Sequence, residues 1–367
     1  MRDSINTAIN TLPSPTWNKL GVNDAGERAR LFEPHPGAKA ALTAGPLPAG
    51  VYSAGNTPDA LYTEPVSGMG VTLDDFVLEH ANARHFITAQ GTAAEPLVLT
   101  GVLDEAHPQL IFQNGIRAMP GSSVTVVELY RSAPRLAGEL ATLTQIYAGR
   151  GANVRLVQVN LAGESCRCWN AVAIKTEPDA KVELIRASLG GQEAYAGARA
   201  VLTGARSEFW LDQIYFGNAA RVLDFNDVAE HEGEQTLAEM HTAGVLTDRC
   251  DKILRGTIDF KKGAVRSVGH ESETVLLLSD TARNRTTPLI LCGEEQVEGQ
   301  HAATIGRMNQ AQIYYLCSRG LSYAEARRML VEAQFAPALD KIPDEALRQE
   351  ILTCVRGRLN ENEGCSQ

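Results

Sequence analysis

The stretch Val297 to Gly306, reading Val-Glu-Gly-Gln-His-Ala-Ala-Thr-Ile-Gly, sets a lone histidine, His301, among small residues. A neutral imidazole is the commonest protein metal ligand. A single histidine at a strand end serves equally well as a hydrogen-bonded structural residue. Cys166-Arg-Cys168 puts two thiols on one face of a strand. Two soft donors can begin a metal site, but a complete one normally takes four, so buried, inert thiols fit the same pattern. His231 and His241 flank the run Glu232 to Met240 with no third donor nearby. Asp224 with Asp227, and Glu294 with Glu295, are candidate carboxylate pairs. Glycosidic chemistry needs two carboxyls at a defined separation, which spacing alone does not establish, and solvated surface charge accounts for both pairs. The chain has no Walker-type phosphate loop, no Gly-x-Gly-x-x-Gly, no His-Glu-x-x-His and no Gly-x-Ser-x-Gly.

The elements that must position these residues change character along the chain. Asn10-Thr-Leu-Pro-Ser-Pro-Thr-Trp17 reads as a prolyl turn followed by an anchoring aromatic. Pro34, Pro36, Pro46 and Pro48 predict an extended linker. Leu73 to Phe86 reads as a short helix with Thr72 as N-cap. From about residue 96 the period becomes two: Leu97 to Leu103 and Ser123 to Tyr130 are strands by their β-branched content. A turn residue, a small residue and an alternating run then recur, at Gly121-Ser-Ser-Val, Gly151-Ala-Asn-Val, Asp179-Ala-Lys-Val, Gly204-Ala-Arg-Ser, Asn218-Ala-Ala-Arg-Val and Lys262-Gly-Ala-Val. Gly, Asn or Asp would supply a left-handed corner, and the small residue would let stacked coils approach. Most intervals suit one coil of a β-solenoid, which stacks its strands into a continuous core. A double-sheet sandwich is the alternative.

Three helices are expected after the pivot at His301. Asn309 caps the first and Gly320 ends it. Ser322-Tyr-Ala-Glu325 is a capping box for the second, leading into Ala326, Met329, Leu330 and Ala333. Pro343 and Asp344 open a third, with Leu347, Ile351, Val355 and Leu359 on one face, before a polar tail from Asn360. The expected division is a mixed N-terminal segment 1–92, a β-helix core 93–303 and a helical C-terminal domain 304–367.

Composition narrows the function classes. The net charge of −10 disfavours non-specific nucleic-acid binding. No apolar run is long enough to cross a bilayer, and the polar N-terminus lacks the apolar region of a signal peptide, so the expected location is cytoplasmic. Seven cysteines scattered over 367 residues are not a disulfide framework.

Several motifs in order carry a resemblance. Leu276-Leu-Leu-Ser-Asp-Thr-Ala282, Pro288, Val297 to Gly306 and Tyr315-Leu-Cys-Ser-Arg-Gly-Leu-Ser-Tyr-Ala-Glu-Ala326 are similar to the SufB/SufD family of iron–sulfur cluster assembly scaffolds. His231 with Thr236, Gly244-Val-Leu and Arg255-Gly-Thr-Ile-Asp-Phe extend the likeness upstream, and Leu12-Pro with Trp17 resembles the family's start. SufB-type chains carry a cysteine just before the Leu-Leu run and a His-Glu-Ala-Thr motif. Here about Glu273 holds the first position and His301-Ala-Ala-Thr304 the second, which points to the SufD type.

The resemblance implies a right-handed parallel β-helix between helical ends, and a non-catalytic scaffold that pairs with a SufB-like paralogue. It also implies a SufC-like ATPase docked on the C-terminal helices, with no nucleotide bound by this chain. His301 matches the histidine implicated at the subunit interface, as a ligand for iron or a nascent cluster. A relative's cysteine two residues earlier is Gly299 here, so that thiol is absent. The alternatives are a SufB-like homodimer, disfavoured by the missing cysteine and glutamate, and a β-solenoid carbohydrate enzyme.

Overall fold

The computed structural model describes residues 9–35, 37–55, 67–133 and 135–361. Its body is a parallel β-solenoid of two nine-stranded sheets, to which successive strands contribute alternately. One sheet runs β1 (Leu42–Ala44), β4 (Leu97–Leu103), β6 (Ser123–Ser132), β8 (Asn153–Leu161), β10 (Lys181–Ser188), β12 (Glu208–Gly217), β14 (Leu237–Leu246), β16 (Val268–Leu277) and β18 (Glu298–Arg307). The facing sheet begins with β2 (Val51–Ser53), β3 (Ala83–Ala89), β5 (Gln109–Ala118), β7 (Glu139–Ala148) and β9 (Arg167–Thr176). It continues through β11 (Glu193–Leu202), β13 (Val222–His231), β15 (Asp251–Phe260) and β17 (Arg283–Cys292). All the coil strands pair in parallel. Only the short β1 and β2 lie antiparallel, on β4 and β3. The sandwich alternative is thereby removed, since strands joined by short turns pair across coils and not with their sequence neighbours.

The corners explain why this sequence coils. Gly121, Gly151, Asp179, Arg206, Gln235 and Arg266 all have left-handed φ. Each sends its backbone N–H to a carbonyl of the next coil, at Arg150, Pro178, Ala205, Glu234, Val265 and Gln296, over 2.6–2.9 Å. The residue that follows each one is small and buried: Ser122, Ala152, Ala180, Ser207, Thr236 and Ser267. Glycine and Asp were expected at these corners, and three coils use Arg or Gln instead. In the Gly204-Ala-Arg-Ser turn the left-handed residue is Arg206 and not Gly204. Left-handed backbone costs an ordinary L-residue about 1–2 kcal/mol, and the inter-coil bond made from that N–H offsets it.

Helices and an irregular strap cover the outer faces. α1 (Val71–His80) and the segment around Ile9, Ala29 and Phe32 pack on the outside of the β5–β7–β9 sheet, against Ile111, Leu143 and Trp169. The helix expected over Leu73 to Phe86 therefore stops at His80, and Gly70, not Thr72, precedes it. Asn82 ends it by binding β5: its amide donates to Gln109 O at 3.0 Å and its carbonyl accepts from Ile111 N at 2.9 Å. That leaves Phe86 in strand β3.

Trp17 is 81% exposed and anchors nothing. The strap is held instead by Asn10, which donates to Asp224 Oδ1 at 2.8 Å, and by Arg255. The Arg255 guanidinium donates to Asp224 Oδ1 at 2.7 Å and to the carbonyls of Val22 and Asp24.

On the other face, α3 (Tyr323–Leu339) and α4 (Glu345–Glu361) lay Val331, Phe335, Leu347, Ile351, Val355 and Leu359 against Val127, Val157, Ile185, Ile214 and Val245. The capping box of α3 forms as expected between Ser322 and Glu325, and Asn309 caps α2 (Gln310–Ser318), its Oδ1 accepting from Ala311 N at 2.9 Å. Met329 does not join the stripe and is exposed. The tail beyond Glu361 lies outside the described residues. Among the described residues no helix is long and apolar enough to cross a membrane.

Candidate functional site

Parallel stacking in register sorts residues into columns. Val126, Leu156, Leu184, Leu211 and Met240 occupy one column on the interior face and belong to the main apolar core. The next two rungs of that column are Glu271 and His301. The adjacent interior column reads Glu128, Gln158, Arg186, Gln213, Thr242, Glu273 and Ala303. The lumen of the solenoid is therefore apolar along one side and increasingly charged toward its C-terminal end, where β18 closes the sheet with no strand beyond it.

His301 is exposed on that last strand, as are Ala302, Ala303 and Thr304, and Ile305 is 50% exposed. β17, the last strand of the facing sheet, is also incompletely covered, and it carries Pro288 in mid-strand. Proline cannot donate to a ladder. β18 has no proline, so its outer edge keeps the full complement of donors and acceptors that invites another strand.

Below His301 the charges are paired. Arg186 and Asp227 form a buried ion pair across the lumen; Arg186 Nε also donates to Gln213 Oε1 at 2.6 Å, and Ala198 N to Asp227 Oδ1 at 3.1 Å. Lys252 and Glu273 form a second pair. Glu273 also accepts from Tyr215 Oη at 2.9 Å and Thr286 Oγ1 at 2.5 Å. Burial pulls Lys252 below the usual lysine range against the opposing charge of Glu273, and burial raises Asp227 despite Arg186. Glu271 differs from both acids. It is buried, its Oε2 has no hydrogen-bond partner among the described residues, and burial, followed by the charges of Asp227 and Glu273, pushes its carboxyl up to about 8.

The other residues singled out from sequence do not join this end as a group. Asp224 and Asp227 lie on opposite faces of β13, each bound to an arginine, so they are neither solvated charge nor an acid–base pair. Glu294 accepts backbone N–H groups at a turn, from Gly263 and Glu295. His231 is buried, stacked on Phe260 at 4.7 Å and bonded through Nδ1 to Thr236 Oγ1 at 2.7 Å; burial lowers it to about 4. His241 lies in the other sheet, bonded to Ser272 Oγ at 2.8 Å. Both histidines have structural partners.

Cys166 and Cys168 sit in the apolar core, Cys166 donating to Leu136 O at 3.3 Å, and burial pushes Cys168 up to about 12. Such a thiol is inert as a thiolate ligand. Among the described residues no group of three His, Cys, Asp or Glu side chains is placed to hold a metal ion.

Sequence reading singled out His301 and Glu273 but not Glu271, Lys252 or Arg186. The signal for Glu271 was a charged residue at an interior rung whose predecessors in the column are Leu and Met; Lys252 follows Leu223, and Arg186 stands between Gln158 and Gln213, so its column offered no such break.

These features define a class: a parallel β-helix carrying a helical C-terminal module and ending in an unpaired edge strand with an exposed histidine. Residues 102–334 match the SufBD core domain of the SUF system of FeS cluster assembly, and the chain belongs to that family. It is 25% identical over 240 residues to the iron–sulfur cluster assembly protein SufD of Bacillus subtilis, covering 65% of this chain and 55% of that one. Against the protein of the same name in Escherichia coli it is 25% identical over 276 residues, covering 72% and 64%. A SufBD family protein of Pyrococcus horikoshii is 28% identical over 203 residues, 55% of this chain and 45% of that one. The chain thus spans between about half and two thirds of the length of the first two relatives.

Proposed function

We propose that this chain is a SufD-type, non-catalytic scaffold subunit for iron–sulfur cluster assembly in the cytoplasm. The observation that carries the reading is His301 standing exposed on the unpaired edge strand β18, at the mouth of a charged lumen. An imidazole there can bind iron or a nascent cluster as substrate, with thiolates supplied by a paired subunit. The partner that fits the edge is a SufB-like paralogue, whose own terminal strand would continue the sheet through backbone hydrogen bonds.

A SufC-like ATPase is assigned to the C-terminal helices α2 to α4, within residues 310–361. Support comes from the exposed Tyr314, Tyr315, Tyr323 and Met329 of α2 and α3, and from a groove of about 610 Å³ between α3 and α4 lined by Leu321, Ala333, Leu339 and Leu352. Aromatic and Met side chains are enriched at interface cores. ATP hydrolysis then belongs to that partner.

Co-expression with the host's SufB-like and SufC-like proteins, followed by size-exclusion chromatography, tests this. A stable ternary complex is expected, with His301→Ala retaining association and losing cluster assembly. Failure to bind either partner would sink the reading. A homodimer that alone supports assembly would favour the SufB-like alternative, and turnover of a polyuronide would favour the carbohydrate enzyme.

A further inference from the structure

The carboxyl directly beneath His301 has no role in the scaffold reading. Glu271 and His301 are partners on neighbouring rungs of one interior column, and rungs of a parallel sheet stand about 4.8 Å apart. Their side chains therefore leave the same face at a spacing that one metal ion can bridge. Glu273, two residues on, is unavailable: Lys252, Tyr215 and Thr286 saturate its oxygens. Glu271 is 8% exposed, and its Oε2 is without a partner among the described residues.

The facing sheet makes room for this carboxyl by placing Gly256 opposite it. A Cβ on that glycine would fall 1.8 Å from Glu271 Oε1. Burying a carboxyl with an unused acceptor is costly unless something pairs with it. Nothing in the apolar column requires an acid at this rung, where the four coils below use Leu or Met.

We propose that Glu271 is a second metal-ligating group of this chain, and that the open end of the lumen takes a divalent transition-metal ion of the ferrous type between its carboxylate and the His301 imidazole. The inference rests on the reading of His301 as a ligand and adds the oxygen donor. A nitrogen and an oxygen from this chain suit iron(II) and leave coordination positions for donors across the interface. As the metal–oxygen bond forms, the carboxyl releases its proton to solvent, so metal charge replaces proton charge in the lumen.

Anaerobic titration of the full chain with cobalt(II), a coloured stand-in for iron(II), tests this by visible absorption and calorimetry. One cobalt per chain is expected, with Glu271→Gln and His301→Ala each weakening binding by about tenfold or more. Glu271→Asp should restore part of the loss. Gln keeps the shape of Glu, and an unchanged or raised melting midpoint shows that the variant folds. Loss in His301→Ala with wild-type affinity in Glu271→Gln would overturn the role of Glu271 and leave that of His301 standing. Wild-type affinity in both variants, or no binding by the wild type at millimolar cobalt, would overturn both. Loss confined to Glu271→Gln would overturn the shared site.

Discussion

The two ends of the solenoid are finished in opposite ways. At the N-terminal end β1 folds back antiparallel on β4 and β2 on β3, so each sheet ends on a three-residue strand running against the rest. Short, reversed strands discourage further pairing. At the C-terminal end β18 presents ten residues in parallel register with β16 and nothing beyond. The interior follows the same division. The early coils hold Leu, Val, Ile and Phe, with neutral polar groups such as Asn170 on Thr142 and a polar knot at Glu128 that receives hydrogen bonds from Asn114, Tyr130, Thr144 and Gln158. The late coils hold Arg186–Asp227, Lys252–Glu273 and the unpartnered Glu271. One end is blunted against further pairing, and the other keeps a free ten-residue edge beside buried charges.

That contrast can be broken most forcefully inside the lumen. Arg186→Ala leaves Asp227 buried without its counter-charge, and removing one partner of a buried pair costs about 3–5 kcal/mol. Chemical denaturation should show the loss. The paired replacement Arg186→Met with Asp227→Leu should recover most of it. If Arg186→Ala were neutral, the late coils would already be hydrated and the distinction between the ends would fail.

An effect of comparable size, confined to high pH, is expected at Glu271. Its folded carboxyl is raised from 4.5 to about 8, so the folded state holds a proton that the unfolded state has released. Stability therefore falls as pH rises from about 4.5 to 8 and levels off above that. Glu271→Gln should remove this slope, leaving the variant several kcal/mol more stable than the wild type at pH 9, at about 1.4 kcal/mol for each pH unit between the two values, and nearly equal to it at pH 4, measured by denaturant midpoints. A wild-type slope retained in the variant would place the titration elsewhere.

The smallest effect on folding, and the sharpest on association, belongs to the edge. Ala302→Lys with Ile305→Lys puts two charges on β18 where side chains are exposed. Stability should change by no more than about 0.5 kcal/mol, as is usual for surface positions. Affinity for a SufB-like partner should drop by about tenfold or more, since edge lysines oppose strand addition. Unchanged affinity in a pull-down or by interferometry would move the interface away from this strand.

Much of this molecule was legible along the chain. The period-two runs from Leu97 onward, the small residues after each corner, and the caps at Asn309 and Ser322 all depend on neighbours within a few residues, and local sequence carries such signals. The helix assigned over Leu73 to Phe86 overran because Asn82 is stopped by hydrogen bonds to β5, twenty-seven and twenty-nine residues away. Trp17 was misplaced for a related reason: the strap is held by Arg255 and Asp224, more than two hundred residues distant.

By itself the sequence determined the family, the coiled architecture and the candidate histidine, because motif order, turn chemistry and residue period are properties of a line. Only the tertiary structure decided which acids share a lumen, that Asp224 and Asp227 face opposite ways, and that Glu271 lies beneath His301 with its Oε2 unpartnered among the described residues. Coils of about 26 to 32 residues bring those groups together, and the register between coils is set by long-range packing and hydrogen bonding, which no local stretch of sequence records.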